Sequence, residues 1–330
     1  MLEILKINDE KKEIINEKLG LIIALFIMIL IFGKMNENYI SNINFINILV
    51  GASLTGLIAV GESYLIIGGL VDLSPGSTVA FTSILSAYLL SKGFNFYFTA
   101  IIVLFSGVLI GLFNSFFINK VKLEPFIATL ASMSIVRGLA FITSDGKPIF
   151  IKDSLFIALG KNRLFGIPLS VVILLIVFII FIVILNKTVF GRNIYIIGGN
   201  KKAARLAGIN PQQMVSQLYI IMGFLSALGG ILLASRMRSG QPAAGVGLEF
   251  DAITAAVLGG VAFSGGVGTL TGVFLGLMIL QGFNSGLIML NVPSFWQYIA
   301  RGMLLLIALS FDYIRNKQRE KKRLEDMKKI

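Results

Sequence analysis

Long apolar runs separated by short polar stretches organise the whole chain. A membrane-spanning helix needs about 20 mostly apolar residues, within a range of about 17–25. Runs meeting or approaching that length cover residues 19–32, 46–70, 75–90, 96–118, 125–142, 165–185, 214–235, 252–263, 267–290 and 295–312. The pattern predicts an all-α polytopic membrane protein of about ten segments. Two of these, 75–90 and 252–263, are short, and the second is too short to cross alone. The longest polar stretches, 144–161 and 186–213, are too short to form domains. One membrane domain over 1–330 is expected, with a charged segment 1–18, a bundle 19–312 and a basic tail 313–330.

Ten segments place both termini on one side, and the distribution of Lys and Arg says which. With the termini inside, the inner pieces 1–18, 119–124, 186–213 and 315–330 hold nineteen Lys and Arg. The outer pieces hold eight, and Arg137 and Arg301 fall within segments. Basic residues accumulate on the cytoplasmic side, so both termini and the 186–213 loop are expected there.

Composition sharpens this picture. Apolar types make up 56 % of the 330 residues, charged types 14 %, and mean hydropathy is +0.87. Soluble domains carry about 25 % charged residues, so a soluble enzyme is excluded. The net charge of +12 follows from orientation and attraction to anionic lipid, and no nucleic-acid partner is expected. His and Cys are both absent. That removes Ser-His-Asp and Cys-His chemistry, disulfides, and metal or haem sites built on those ligands. No cofactor, metal or catalytic residue is expected. No cleavable leader is evident in the mixed-charge start.

An internal repeat marks two interrupted helices. Gly68-Gly69-Leu70-Val71-Asp72-Leu73-Ser74-Pro75-Gly76-Ser77 resembles Gly259-Gly260-Val261-Ala262-Phe263-Ser264-Gly265-Gly266-Val267-Gly268-Thr269. Each places a Gly pair at the end of an apolar run, then Ser, then Gly with a hydroxyl residue before a new run. Gly- or Pro-interrupted short segments in corresponding positions point to a substrate path. Broken backbone exposes N–H and C=O groups that lipid cannot satisfy. The predicted path residues are Glu62, Asp72, Ser74, Ser77, Ser264 and Thr269, with Thr78 beside them. Gly51, Gly56, Gly107 and Gly111 are expected instead to serve close helix packing.

Three charges fall inside segments, where each costs about 2.5–3.5 kcal/mol on insertion scales. Glu62 either lines the path or pairs with a buried arginine. Arg301, following Trp296 and Tyr298, and Arg137 near a segment end are expected to snorkel to the headgroups.

The 186–213 loop contains Asn200-Lys201-Lys202-Ala203-Ala204-Arg205-Leu206-Ala207-Gly208-Ile209-Asn210-Pro211. Asn200 can cap a short helix, Gly208 can end it, and Pro211 forbids its continuation. Alone, this reads either as a docking helix or as a connector resting on headgroups.

Four pieces together resemble the permease subunit of ribose-type ATP-binding-cassette (ABC) importers. They are 68–77 (G-G-x-D-L-S-x-G-S), 191–209 (G-R-x…G-x-N…A-A-R-L-A-G-I), 251–269 (D-A-I-x-A-x-x-L-G-G…G-G-x-G-T) and 284–312. Their order and spacing fit from about residue 40 to 312. One departure is an extra residue between Gly69 and Asp72. The resemblance implies a multi-pass permease of the bacterial plasma (inner) membrane, two copies of which form a path for a small neutral monosaccharide. It implies an ATP-binding cassette subunit beneath and an extracytoplasmic sugar-binding protein outside. By analogy, Ala203, Ala204, Arg205, Leu206, Ala207 and Gly208 dock into the ATP-binding subunit. The chain has no G-x-x-x-x-G-K-[ST], so a partner must hydrolyse ATP. The rival reading is an ATP-independent secondary transporter or channel.

Overall fold

The computed structural model describes the backbone of residues 2–328 and the side chains of residues 18–318. The chain runs through α1 (Leu2–Met35), α2 (Asn42–Ile67), α3 (Pro75–Ser91), α4 (Phe96–Phe116), α5 (Pro125–Ser144), β1 (Ile149–Phe150) and α6 (Ser154–Lys161). There follow β2 (Arg163–Leu164), β3 (Ile167–Pro168), α7 (Leu169–Lys187), α8 (Val189–Gly199), α9 (Lys201–Leu206) and α10 (Pro211–Met237). The order closes with β4 (Ser239–Gly240), α11 (Leu248–Leu258), α12 (Leu270–Met289) and α13 (Ser294–Lys328). Among the described residues, eight helices are long and apolar enough to cross a membrane: α1, α2, α4, α5, α7, α10, α12 and α13. The two short predicted segments appear as α3 and α11.

Local sequence sets the helix starts. Ser41, Asn95, Thr188, Asn200, Asn210 and Thr269 accept backbone N–H groups of the first turn, and Pro occupies the first turn of α3, α5 and α10. There its missing N–H costs nothing. One predicted boundary moves. The span expected from Phe165 starts at Leu169, because Phe165 (φ 51°) and Gly166 (φ 82°) form the left-handed turn of the β2–β3 hairpin. Phe165 and Ile167 are exposed hairpin residues whose apolarity mimics a span.

α2 and α10 form the centre. Of the most apolar stretch of α10, 78 % is buried, against 6 % for α1 and for α13. Tyr64, Leu57, Ile58, Leu225 and Tyr219 fill the space between them and their neighbours. α4 crosses α10 by backbone contact: a side chain at Gly107 would overlap the Gly223 carbonyl, and one at Gly111 the Tyr219 carbonyl. The packing role expected for these glycines therefore holds. Gly111→Val is expected to push the two helices apart, at about 1–3 kcal/mol or more for overpacking. Gly138 on α5 has open space beside it, so Gly138→Val serves as the control. The yield of detergent-stable monodisperse protein checks the difference.

α11 spans only about 16 Å at 1.5 Å per residue, roughly half the hydrocarbon thickness. The chain before it runs as consecutive turns over 242–247, with Gly245 and Gly247 left-handed. Its upper end is fixed by β4, which pairs antiparallel with β1 (Ile149 opposite Gly240, Phe150 opposite Ser239). It then descends along α3. Gly240 lies against Ser83, Ile84 and Ala87, and Gly245 lies against Gly76. Hydropathy assigned 239–247 to an outer loop; the structure lays it along α3, between β4 and α11.

Candidate functional site

The two repeated Gly pairs build the same structure. α2 ends at Gly68, Gly69 is left-handed (φ 72°), and N–H groups of Gly69 and Leu70 donate to Ile66 and Leu65 carbonyls (both 2.9 Å). α11 ends at Gly259, Gly260 is left-handed (φ 88°), and N–H groups of Gly260 and Val261 donate to Val257 and Ala256 carbonyls (2.9 and 3.0 Å). These are paired Schellman caps, which satisfy the last carbonyls of a helix and need Gly at the left-handed position. In both, the following apolar residue, Leu70 or Val261, is buried.

Beyond the caps the breaks differ. At the first, Asp72 Oδ1 accepts the Ser74 N–H (2.8 Å) and hydroxyl (2.6 Å), and Glu62 accepts the Asp72 N–H (3.2 Å). Asn114 of α4 donates to the Ser74 hydroxyl (2.9 Å), Thr129 of α5 accepts the Leu73 N–H (3.1 Å), and Tyr219 of α10 donates to the Val71 carbonyl (2.8 Å). Glu62, Asp72 and Ser74 are thus brought together as a buried brace, and Ser77 and Thr78 turn their hydroxyls back to the Ser74 carbonyl. Glu62 bonds to backbone, which is neither alternative expected for it. Ser264 and Thr269 lie apart from this group on the second break. Ser264 is exposed, within 3.4 Å of Asn316 of α13, and Thr269 caps α12 through the Gly272 N–H (3.2 Å). Asp312 of α13 accepts the Phe263 N–H (3.0 Å). Asn114, Thr129, Tyr219 and Asp312 carried no sequence signal of this role, because their partners are distant in the chain.

The intramembrane arginines depart from expectation. Both have partners within the protein. Arg137 turns from α5 to the unwound 239–247 segment and donates to the carbonyls of Pro242 (3.0 Å) and Ala244 (2.6 Å). Arg301 of α13 pairs with Asp251 of α11 at 3.6 Å, and both remain partly exposed. Glu249, two residues earlier, packs its carboxylate on the Gly76 backbone. The α5–α11–α13 face therefore combines charges with unwound backbone, including exposed Ala243 and Val246. Lipid satisfies neither, so such a face suits water or another protein surface.

The exposed loop adopts the expected form. Asn200 Oδ1 accepts the N–H groups of Lys202 and Ala203 (2.9 and 3.0 Å), and α9 ends at Ala207 before left-handed Gly208. Ala204 is fully buried against the bundle. Ala203, Arg205, Ala207 and Gly208 are exposed, and Leu206 is 91 % exposed. An exposed Leu at the tip of a capped, anchored helix is an apolar contact without a partner among the described residues.

The chain resembles known transport proteins along most of its length. It is 38 % identical over 313 residues to the ribose import permease of Bacillus subtilis, covering 93 % of this chain and 97 % of the relative. It is 38 % identical over 294 residues to the ribose import permease of Haemophilus influenzae, covering 88 % and 91 %. It is 39 % identical over 306 residues to the L-arabinose transport system permease of Escherichia coli, covering 93 % of each. No solved structure matches it. Residues 44–309 match the family model described as the branched-chain amino acid transport system permease component, and the chain belongs to that family of membrane permeases.

Proposed function

We propose that this chain is the membrane-spanning subunit of an ABC importer for a monosaccharide of the pentose class. The printed activities of its sugar-permease relatives support the class. The observation that carries the energy coupling is α9: a capped helix rooted by Ala204, presenting Leu206 and Arg205 outward. A separate ATP-binding subunit takes that surface and hydrolyses ATP, while an extracytoplasmic binding protein delivers the sugar. The permease itself performs no chemistry.

Two copies enclose the path, with the α5–α11–α13 faces turned toward each other. Arg137, Asp251 and Arg301 lie on that face, and a neutral sugar offers hydroxyls to such groups without the Born cost of a charge. Glu62, Asp72, Ser74 and Ser77 hold the first break in shape behind the path, and Ser264 and Thr269 border its expected cytoplasmic end. Alternating access follows when the docked helices move with the ATPase and the breaks move with them.

The test is reconstitution in liposomes of the permease, its ATP-binding subunit and its binding protein, with labelled ribose and L-arabinose. Uptake of at least one pentose is expected only when all three components and ATP are present. Uphill accumulation by the permease alone overturns the proposal in favour of a secondary transporter.

A further inference from the structure

The end of α8 lies where both broken helices meet. Gly198 has its Cα so close to the Ile67 carbonyl, at the last turn of α2, that any side chain would overlap it, and the Gly266 N–H lies on the same side. The Gly266 N–H donates to that Ile67 carbonyl at 2.8 Å, so the second break is hydrogen-bonded to the end of the helix that precedes the first. A Cβ at left-handed Gly265 would come within 3.2 Å of the Gly69 Cα and 2.9 Å of the Gly198 carbonyl. Tyr195, one turn earlier on α8, donates its hydroxyl to the Gly268 carbonyl at 2.8 Å. Three segments therefore share one backbone seam, and no flexible side chain separates them.

The same α8 is joined to α9 through Asn200 alone, and Asn200 is itself fixed as the α9 cap. Ile194 and Ile197 are buried and hold the inner face of α8 against the bundle. A displacement of α9 has only one residue in which to dissipate before it reaches the seam. Coupling between distant sites needs such contiguous, stiff elements, and backbone-to-backbone contact is stiffer than contact through side-chain rotamers.

We propose that Gly198 and Tyr195 are positioning residues for transport: they tie the α9 helix to both broken-helix turns, so that one movement of α9 shifts the two breaks together. This rests on the docking role of α9. The seam would explain why the Gly pair at 198–199 recurs beside the Gly pairs of the two breaks. At Gly198 and Gly266 only a glycine backbone permits the approach.

The test uses the full importer in liposomes and measures sugar moved per ATP hydrolysed. Tyr195→Phe removes one hydroxyl and keeps the ring, and one lost hydrogen bond corresponds to about a two- to tenfold effect. The expected result is a fall of that size in sugar moved per ATP, with assembled complex and ATP hydrolysis retained. Gly198→Ala, whose Cβ would overlap the Ile67 backbone, is expected to lower both the amount of assembled complex and the ratio. A purely structural role would reduce the amount of complex and scale both activities together, leaving the ratio as in the parent. An unchanged ratio in Tyr195→Phe overturns the proposal. The docking role fails separately, if Leu206→Asp leaves the complex assembled and transporting.

Discussion

Leu206→Asp is expected to abolish co-purification of the ATP-binding subunit and to lower binding-protein-dependent sugar uptake by about tenfold or more, with normal amounts of permease in the membrane. Leu206 is 91 % exposed and touches little of the bundle, so the fold does not depend on it. At an interface, full burial of a Leu side chain is worth about 1.5–3 kcal/mol. A carboxylate there forfeits that burial and adds an unpaired charge. Each 1.4 kcal/mol is about a factor of ten in affinity, so the combined loss exceeds tenfold. Arg205→Asp reverses a charge on the same exposed surface and is expected to act in the same direction. Ala204→Asp is the instructive contrast. Ala204 is fully buried, so its variant is expected to lose folded permease before docking is ever tested. Quantitative blotting of membranes beside uptake separates the cases. Full uptake in Leu206→Asp removes α9 as the docking element.

What the chain revealed of its own fold follows the range of the forces involved. Segment number and type came from hydropathy, which is local: eight long helices and two short ones occupy the ten predicted runs. The Gly pairs were legible because a Schellman cap is also local, needing one left-handed residue and a following apolar one. The α9 helix was legible for the same reason, from Asn200 at its start and Gly208 past its end. The course of residues 239–247 along α3 was not. Residues 239–247 are small and weakly polar, and their place along α3 depends on Gly240 and Gly245 meeting residues about 160 positions earlier.

The candidate site divides along the same line. Asp72 and Ser74 were found because they accompany the repeated Gly-pair break, and the sequence offered them as a path lining. The structure uses them to satisfy a broken backbone, together with Asn114 and Tyr219 from other helices. Composition identifies which residues are polar in an apolar setting. It does not say whether they face water or each other. The charges that do remain partly exposed, Asp251 and Arg301, were separated by fifty positions and read singly, so each arginine was assigned to the headgroups by default.

Arg137→Ala is expected to destabilise the permease by about 2–4 kcal/mol and to eliminate uptake. The guanidinium serves two carbonyls of one unwound segment, those of Pro242 and Ala244. That segment has no ladder partner below Gly240 among the described residues, and no other donor there reaches these two carbonyls. A buried acceptor left without its donor costs about 1–3 kcal/mol, and two are orphaned at once. Arg137→Lys keeps the charge but replaces a planar fork with a single ammonium on a different reach. It is expected to hold one carbonyl well and to lie between Ala and the parent. Thermal unfolding in detergent, followed by size-exclusion chromatography, orders the three proteins, and uptake in the reconstituted importer follows the same order. An Ala variant that melts with the parent would mean that water already solvates the 239–247 carbonyls. The arginine would then act on the passing sugar, because the segment would not need it as a support.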